Sequence, residues 1–311
     1  MQSRVLRIGT RGSPLALAQA TMVRAQLASA HGLPAEAFEL KIIRTTGDVI
    51  QDRPLSEVGG KGLFTKEIDE ALLGNRVDIA VHSMKDLPTE LPPGITIAAV
   101  LPRGDVRDAF ISASGESLAA LPPGAVVGSS SLRRQAQVKR LRPDLRLIDL
   151  RGNVETRLKK LEQGVVDATL LALAGLERLG LTGHVTSVLP TDEMLPAVAQ
   201  GAIGISCRSD DAKTRDLLQP LNDDSTATAV ACERAFLAQL DGSCRTPIAG
   251  LAEIADGTLR FRGLVLTPEG TAWHEIEQRG APEDAVSIGA SSGRELLALA
   301  GPNFLASLRA R

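Results

Sequence analysis

The sequence predicts an α/β protein: two units of parallel sheet covered by helices, followed by a small α+β domain. Three observations carry this. Strand-like and helix-like segments alternate from residue 5 to residue 171. Gly, Ser, Arg and Asp gather where the predicted strands end, as ligand-binding α/β sheets require. After about residue 220 the pattern changes to one helix, three strand-like runs and a closing helix.

In the first unit, residues 5–9 read as a strand. Ser13-Pro14 then opens a helix, with Ser at the cap and Pro in the first turn. Leu15, Ala18, Met22 and Ala25 are expected to form its apolar stripe. Residues 40–45 read as a second strand. Residues 47–62 have no clean period and several Gly, which marks a long functional loop. Phe64, Ile68 and Leu72 mark the next helix, and residues 76–81 a strand ending at His82-Ser83-Met84-Lys85-Asp86. The second unit repeats this grammar: strand 125–128, helix 132–141, strand 145–150, helix 154–162, strand 165–171. The chain is expected to cross between units near 100–106 and 196–204. A helix at about 225–240 and strands near 246–254, 258–266 and 271–278 follow, turning at Asp256-Gly257 and Pro268-Glu269-Gly270.

Composition narrows the function. Of 311 residues, 43% are hydrophobic and 23% charged, which excludes a disordered chain. No apolar run reaches the roughly 18–20 residues of a membrane helix. The first 30 residues lack an apolar signal core, so a cytoplasmic location is expected. Aromatic residues are 2% of the chain and net charge is −2, which argues against a nucleic-acid binder. The three cysteines, Cys207, Cys232 and Cys244, form no disulfide framework and no CxxC, so no metal site is expected.

The candidate chemistry sits at strand ends. Ser129–Ser131 precede a helix, where free N–H groups and hydroxyls suit an anion, although N-capping alone also explains them. Residues 131–157 carry a local excess of five positive charges. Arg133, Arg134 and Arg151 fall at strand-to-helix junctions, with Arg157 one turn into a helix. Arg140, Arg142 and Arg146 read as a solvated face. Asp86 suits a general acid or a partner for an N–H cation, or else a helix cap or an ion pair with Lys85. His82 reads as packed at its strand end. Gly59-Gly60-Lys61-Gly62 lacks the spacing of a nucleotide-binding loop. Cys244 lies on a Gly-containing turn beside Arg245, which favours an accessible thiolate. Cys207 and Cys232, in apolar settings, read as core residues.

Five segments in order resemble the porphobilinogen deaminase (hydroxymethylbilane synthase) family over essentially the whole chain. They are Arg11-Gly12-Ser13-Pro14-Leu15-Ala16, Gly60-Lys61-Gly62-Leu63-Phe64, His82-Ser83-Met84-Lys85-Asp86-Leu87-Pro88, Arg151-Gly152-Asn153 and the stretch from Glu233-Arg234-Ala235-Phe236 to Gly242-Ser243-Cys244-Arg245-Thr246-Pro247. The resemblance implies head-to-tail condensation of four porphobilinogen molecules to a linear tetrapyrrole, with release of ammonia. It implies a dipyrromethane cofactor held by a thioether at Cys244 and a catalytic carboxylate at Asp86. Cofactor and substrate would be bound in the first unit by Arg11, Ser13, Lys61, Ser83 and Lys85. In the second unit they would be bound by Ser129, Ser131, Arg133, Arg134, Arg151, Gly152, Arg157 and Arg178. Gly12 and Arg245 depart from the family's usual residues.

The implied fold is α/β: two periplasmic-binding-protein-like α/β domains with a central cleft, plus a small C-terminal α+β domain. Its divisions would be 1–101 with 202–220, 106–196, and 223–311, with 47–62 as a lid. No metal, nucleic acid or membrane partner is implied, and a monomer is expected. The rival reading is a two-lobed solute-binding protein for carboxylates or phosphate, which has no use for Cys244 or for a third domain.

One measurement separates these readings. The purified chain is expected to exceed its sequence mass by two linked pyrrole units, and Cys244→Ser to lack the excess. A chain that stays unmodified after incubation with porphobilinogen, with no ammonia released, would favour the solute-binding reading.

Overall fold

The computed structural model describes residues 5–49, 63–240 and 246–309. In chain order, β1 (Leu6–Thr10), α1 (Pro14–His31), β2 (Phe38–Ile42), a helical turn at Thr46–Val49, α2 (Lys66–Leu73), β3 (Ile79–Ser83) and β4 (Ile95–Val100) come first. Then follow β5 (Asp108–Ser112), β6 (Val126–Gly128), α3 (Leu132–Leu141), β7 (Arg146–Ile148), α4 (Val154–Glu162), β8 (Ala168–Ala172), α5 (Leu173–Leu179) and β9 (Ser187–Leu189). The chain continues through β10 (Ile203–Arg208), α6 (Ala212–Leu218), α7 (Asp224–Gln239), β11 (Ile248–Ala255), β12 (Thr258–Leu266), β13 (Trp273–Gly280) and α8 (Ala285–Arg309). These elements form two compact units, residues 1–104 with 202–227 and residues 105–201 with 228–311. The second α/β sheet and the C-terminal sheet fall in the same unit.

Each α/β sheet has five strands, ordered β2-β1-β3-β10-β4 in the first unit and β7-β6-β8-β5-β9 in the second. The expectation of parallel sheets holds for β1 with β2 and β3, and for β6 with β7 and β8. It fails at the inserted strands. β10 is antiparallel to β3 and β4, and β5 is antiparallel to β8 and β9. Both strands follow a crossing between units, so no right-handed helical crossover leads into them and nothing enforces the parallel sense. The sequence reading placed 203–204 within a crossing, yet they begin β10.

Helix α1 starts as the sequence requires: Ser13 Oγ accepts from the Ala16 N–H, and Pro14 occupies the first turn. It ends at Gly32, whose left-handed φ of 60° lets its N–H reach the carbonyls of Ala28 and Ser29. Its buried face is Gln19, Ala20, Val23 and Leu27, and Ala25 is exposed. The expected stripe was rotated because α1 carries apolar residues on nearly every side. β2 starts two residues earlier than expected because Phe38 is buried and pairs with Leu6.

Both faces of each sheet are covered. In the first unit Ile8, Val23, Leu27, Val81 and Ile205 form one core and Ile68, Leu72, Val77 and Ala80 another. In the second, Phe110, Val127, Val138 and Leu170 lie on one side and Leu150, Leu158, Leu171 and Leu176 on the other. Cys207 and Cys232 are fully buried free thiols, as their apolar settings predicted. Burial pushes the Cys232 thiol up to about 12.

The antiparallel meander β11-β12-β13 packs Phe261 against Phe236 of α7, ring centroids 4.8 Å apart. Gly263 makes room, because a Cβ there would sit 2.7 Å from the Phe236 ring. Three residues before Phe236, Glu233 is completely buried. Its carboxylate accepts from the Ala199 N–H at 2.5 Å and from the Ala252 N–H at 2.8 Å. Ala199 itself holds a left-handed φ of 59°. Glu233 therefore clamps the turn that precedes β10 to strand β11.

Glu233→Gln keeps the shape but offers only one acceptor oxygen to the two N–H groups. A loss of about 1–3 kcal/mol is expected in urea unfolding, the usual cost of a buried unpaired amide. An unchanged unfolding midpoint would show that the clamp contributes nothing.

Candidate active site

In the first unit, β1 and β3 run parallel, so their carboxyl ends emerge on one side. Arg11 follows β1, and Asp86 closes the short 3-10 turn Met84–Asp86 after β3. A cavity of about 50 Å³ between them is lined by Arg11, Ser13, Gln19, His82, Ser83 and Asp86, among others. The Asp86 side chain is 39% exposed, with a carboxylate oxygen 3.9 Å from Arg11 Nη1. Lys85 beside it is exposed.

Local packing sets this geometry. The Met84 N–H donates to the Ala202 carbonyl, and Met84 lies over Gly204, where a Cβ would come within 2.1 Å of its sulfur. Gln19 Nε2 donates to Ser83 Oγ at 2.9 Å. Ser13 is occupied as the α1 cap. Arg11 is held from the opposite side. Its Nε and Nη2 donate to the Asp48 carboxylate at 3.1 and 2.5 Å, and its guanidinium lies 4.1 Å over the Phe64 ring. Asp48 also accepts from Thr45 Oγ1 at 2.8 Å. Burial works against ionisation of Asp48, but the Arg11 bonds and charge with the Thr45 bonds outweigh it and hold its carboxyl below the usual range. His82 is packed at the strand end, with Nε2 3.0 Å from Ser206 Oγ, as the sequence reading expected.

In the second unit, β6, β7 and β8 are parallel, and Ser129, Ser131, Arg133, Arg134, Arg151, Gly152 and Arg157 lie at or near the carboxyl ends of β6 and β7, whereas Arg178 lies in the last turn of α5. Ser131 caps α3 by accepting from the Arg134 N–H, and its own N–H donates to Ser129 Oγ at 3.2 Å. Arg157 Nε donates to the Gly152 carbonyl at 2.9 Å. Gly152 has φ 121°, and a Cβ there would meet Thr156 at 2.6 Å. The Arg151 carbonyl accepts from Lys160 Nζ. Arg178 Nη2 donates to the Gly201 carbonyl at 2.6 Å.

Arg133 and Arg134 are buried on Asp108, whose side chain has no exposure. Arg133 Nη2 reaches Oδ2 at 2.8 Å, and Arg134 Nη2 reaches Oδ1 at 2.7 Å. Gln200 Nε2 adds a third donor at 2.9 Å. Burial alone would raise the Asp108 pKa, but the two guanidiniums overcome it and keep the carboxylate far below its ordinary range. Arg133 also donates through Nη1 to the Leu195 carbonyl at 2.7 Å, while its buried Nε has no hydrogen-bond partner among the described residues.

The sequence reading missed Asp48, Phe64, Gln19, Asp108 and Gln200. Asp108 had a signal: a carboxylate heading the apolar run Ala109-Phe110-Ile111, in a chain with an arginine excess further on. The supposed solvated face was also misjudged in part. Arg142 donates to the carbonyls of Leu118, Ala119 and Leu121 and pairs with Asp144. Lys61, Cys244 and Arg245 lie outside the described residues, as does all of the 47–62 loop beyond Val49. Among the described residues no His, Cys, Asp and Glu group has the makings of a metal site. No helix among them is long and apolar enough to cross a membrane.

The family model for the porphobilinogen deaminase dipyrromethane cofactor binding domain matches residues 6–216, and that for the porphobilinogen deaminase C-terminal domain matches 227–298. A porphobilinogen deaminase of Paracoccus denitrificans is 56% identical over 299 residues, covering 96% of each chain. A chloroplastic porphobilinogen deaminase of Oryza sativa is 58% identical, covering 98% of this chain and 87% of its own. Among solved structures, the methionine-binding protein MetQ is 11% identical with a TM-score of 0.44, covering 74% of this chain and 94% of its own.

The His82 environment has a measurable consequence. Burial, and then the charge of Arg11, push its imidazole down to about 4, against about 6.5 in an unfolded chain. The unfolded state therefore binds the proton first, and stability is complete above about pH 6.5 and lost as pH falls toward 4. Relative to His82→Gln, the native chain is expected to lose up to about 3 kcal/mol between about pH 7 and pH 4 in urea unfolding. Parallel pH profiles would show that His82 is not held neutral.

Proposed function

The chain belongs to the porphobilinogen deaminase family, and from that premise we infer that Asp86 is its catalytic carboxylate. The enzyme is a transferase. It joins four porphobilinogen molecules head to tail, releases ammonia at each step and works on a dipyrromethane cofactor.

The residues fit that group. Each of its pyrrole rings carries an acetate and a propionate, so it needs cationic and neutral N–H donors. The carboxyl ends of β6, β7 and β8 offer this kind of set: Arg133, Arg134, Arg151, Arg157, Ser129 and Ser131. Two guanidiniums share the single charge of Asp108, leaving one net positive charge and the unpartnered Nε of Arg133. Gly152 leaves the β7 end without a side chain where a Cβ would clash with Thr156. We assign cofactor and substrate carboxylates to these residues with Gly152 and Arg178, and further contacts to Arg11, Ser13, Lys61, Ser83 and Lys85. Cys244 is assigned as the thioether carrier. When bound, the dipyrromethane supplies the nucleophilic ring carbon to which the first unit is joined.

The chain's own groups then act on porphobilinogen. The protonated amino group of the aminomethyl arm departs as ammonia, and the methylene that stays on the ring carries a positive charge delocalised onto the pyrrole N–H. The observation that carries the assignment is the Asp86 carboxylate, open to the cavity and opposed by Arg11 without close pairing. It is available to accept from the pyrrole N–H, stabilise the cation and take the proton that the ring carbon loses on coupling. Ser83, oriented by Gln19, adds a hydroxyl at the same strand end. We further propose divisions at 1–101 with 202–220, 106–196 and 223–311, with 47–62 as a lid. We also propose a monomer acting in the cytoplasm, where reducing conditions keep a carrier thiol available.

Asp86→Asn is expected to fold and to retain the mass of the bound cofactor. Its kcat should fall by about 10²–10⁴-fold, the range for removal of a general acid–base group. Full turnover by Asp86→Asn would remove Asp86 from the chemistry.

A further inference from the structure

Arg11 has two carboxylates to choose from. Asp48 takes two of its nitrogens, Nε at 3.1 Å and Nη2 at 2.5 Å, while Asp86 stands 3.9 Å from the third. The Phe64 ring, 4.1 Å from the guanidinium carbon, fixes the plane of the fork. Thr45 Oγ1 steadies Asp48 at 2.8 Å. A forked arginine prefers one bidentate carboxylate, and here Asp48 occupies that place.

We propose that Asp48 is a positioning residue for Asp86: it holds Arg11 in a two-point grip so that Arg11 opposes Asp86 without closing onto it. The inference rests on the assignment of Asp86 as the catalytic carboxylate. An Asp86 gripped by arginine would have its lone pairs occupied and would accept poorly from a pyrrole N–H. An Asp86 with no cation opposite it would have nothing to hold its carboxylate toward the cavity. Asp48 sets the intermediate case. Among the described residues, the other ionisable groups around Asp86 are Lys85, its neighbour in the chain, and His82, which is buried and neutral.

Removing Asp48 frees Arg11 to swing onto Asp86. In cofactor-loaded enzyme, Asp48→Asn is expected to lose roughly tenfold in kcat with little change in KM, within the range of couplings between contacting residues. The acid limb of its kcat/KM profile should move to lower pH, because Arg11 is no longer shared with a second anion. The carboxyl-carbon NMR chemical shift of Asp86 should change as Arg11 closes onto it, which is a readout independent of turnover. Arg11→Gln closes the cycle. Once Arg11 is gone Asp48 has nothing to restrain, so the double variant should match Arg11→Gln within about twofold.

Intact mass and thermal unfolding check that each variant is loaded and folded. Independent, multiplying losses in the double variant would overturn the proposal. So would an Asp48→Asn enzyme with native kcat and a native Asp86 carboxyl chemical shift while Asp86→Asn is inactive. An active Asp86→Asn would instead overturn the assignment on which the proposal stands.

Discussion

The buried carboxylate of Asp108 organises the second unit. It receives two guanidiniums and the Gln200 amide, and through them gathers parts of the chain that are distant in sequence. Arg133 continues to the Leu195 carbonyl and Arg134 to that of Leu170. Burying three charges is expensive unless their hydrogen bonds are nearly complete. Here, among the described residues, every side-chain nitrogen of Arg133 and Arg134 has a partner except the Nε of Arg133. The first unit uses the reverse stoichiometry, one guanidinium facing two carboxylates. One site is left with cationic donors in excess and the other with a carboxylate only partly engaged, which is how carboxylate binding and cation stabilisation can be assigned to different residues.

Much of this was legible in the sequence, and the missing part has a common cause. Periodicity and caps located α3 and α4 to the residue, because Ser131 and Asn153 are strong helix starters and each helix has one apolar face. Family motifs singled out Asp86 and Arg11. What the sequence did not disclose are the partners that aim them. Asp48 lay inside a segment read as loop, and Asp108 heads a strand that the sequence reading did not identify. A hydrogen bond between residues 25 or 37 positions apart leaves no periodic trace. For the same reason the antiparallel sense of β5 and β10 was hidden: the alternating pattern that signals a strand does not record its direction.

The short segment before β10 shows how densely such partners can be packed. The Pro196 carbonyl receives the Gly250 N–H, Ala199 donates to Glu233, Gln200 donates to Asp108, and the Gly201 carbonyl receives Arg178. Immediately after it, the Ala202 carbonyl receives the Met84 N–H, two residues before Asp86. A stretch that reads as featureless linker is thus tied to strand β11 and helix α7 at one end, and at Gln200, Gly201 and Ala202 to groups that carry or aim a candidate site residue.

Glu233 gives this a wider meaning. It opens the tetrapeptide by which the family is most readily recognised, yet its carboxylate is spent on two main-chain amides. In this chain the first residue of that tetrapeptide therefore serves the scaffold. A relative that had exchanged Cys244 for serine could keep that tetrapeptide and the clamp, and a search would still retrieve it. With Cys244 assigned as the thioether carrier, whether such a chain remained an enzyme would be written eleven residues downstream of the glutamate, in a single sulfur atom.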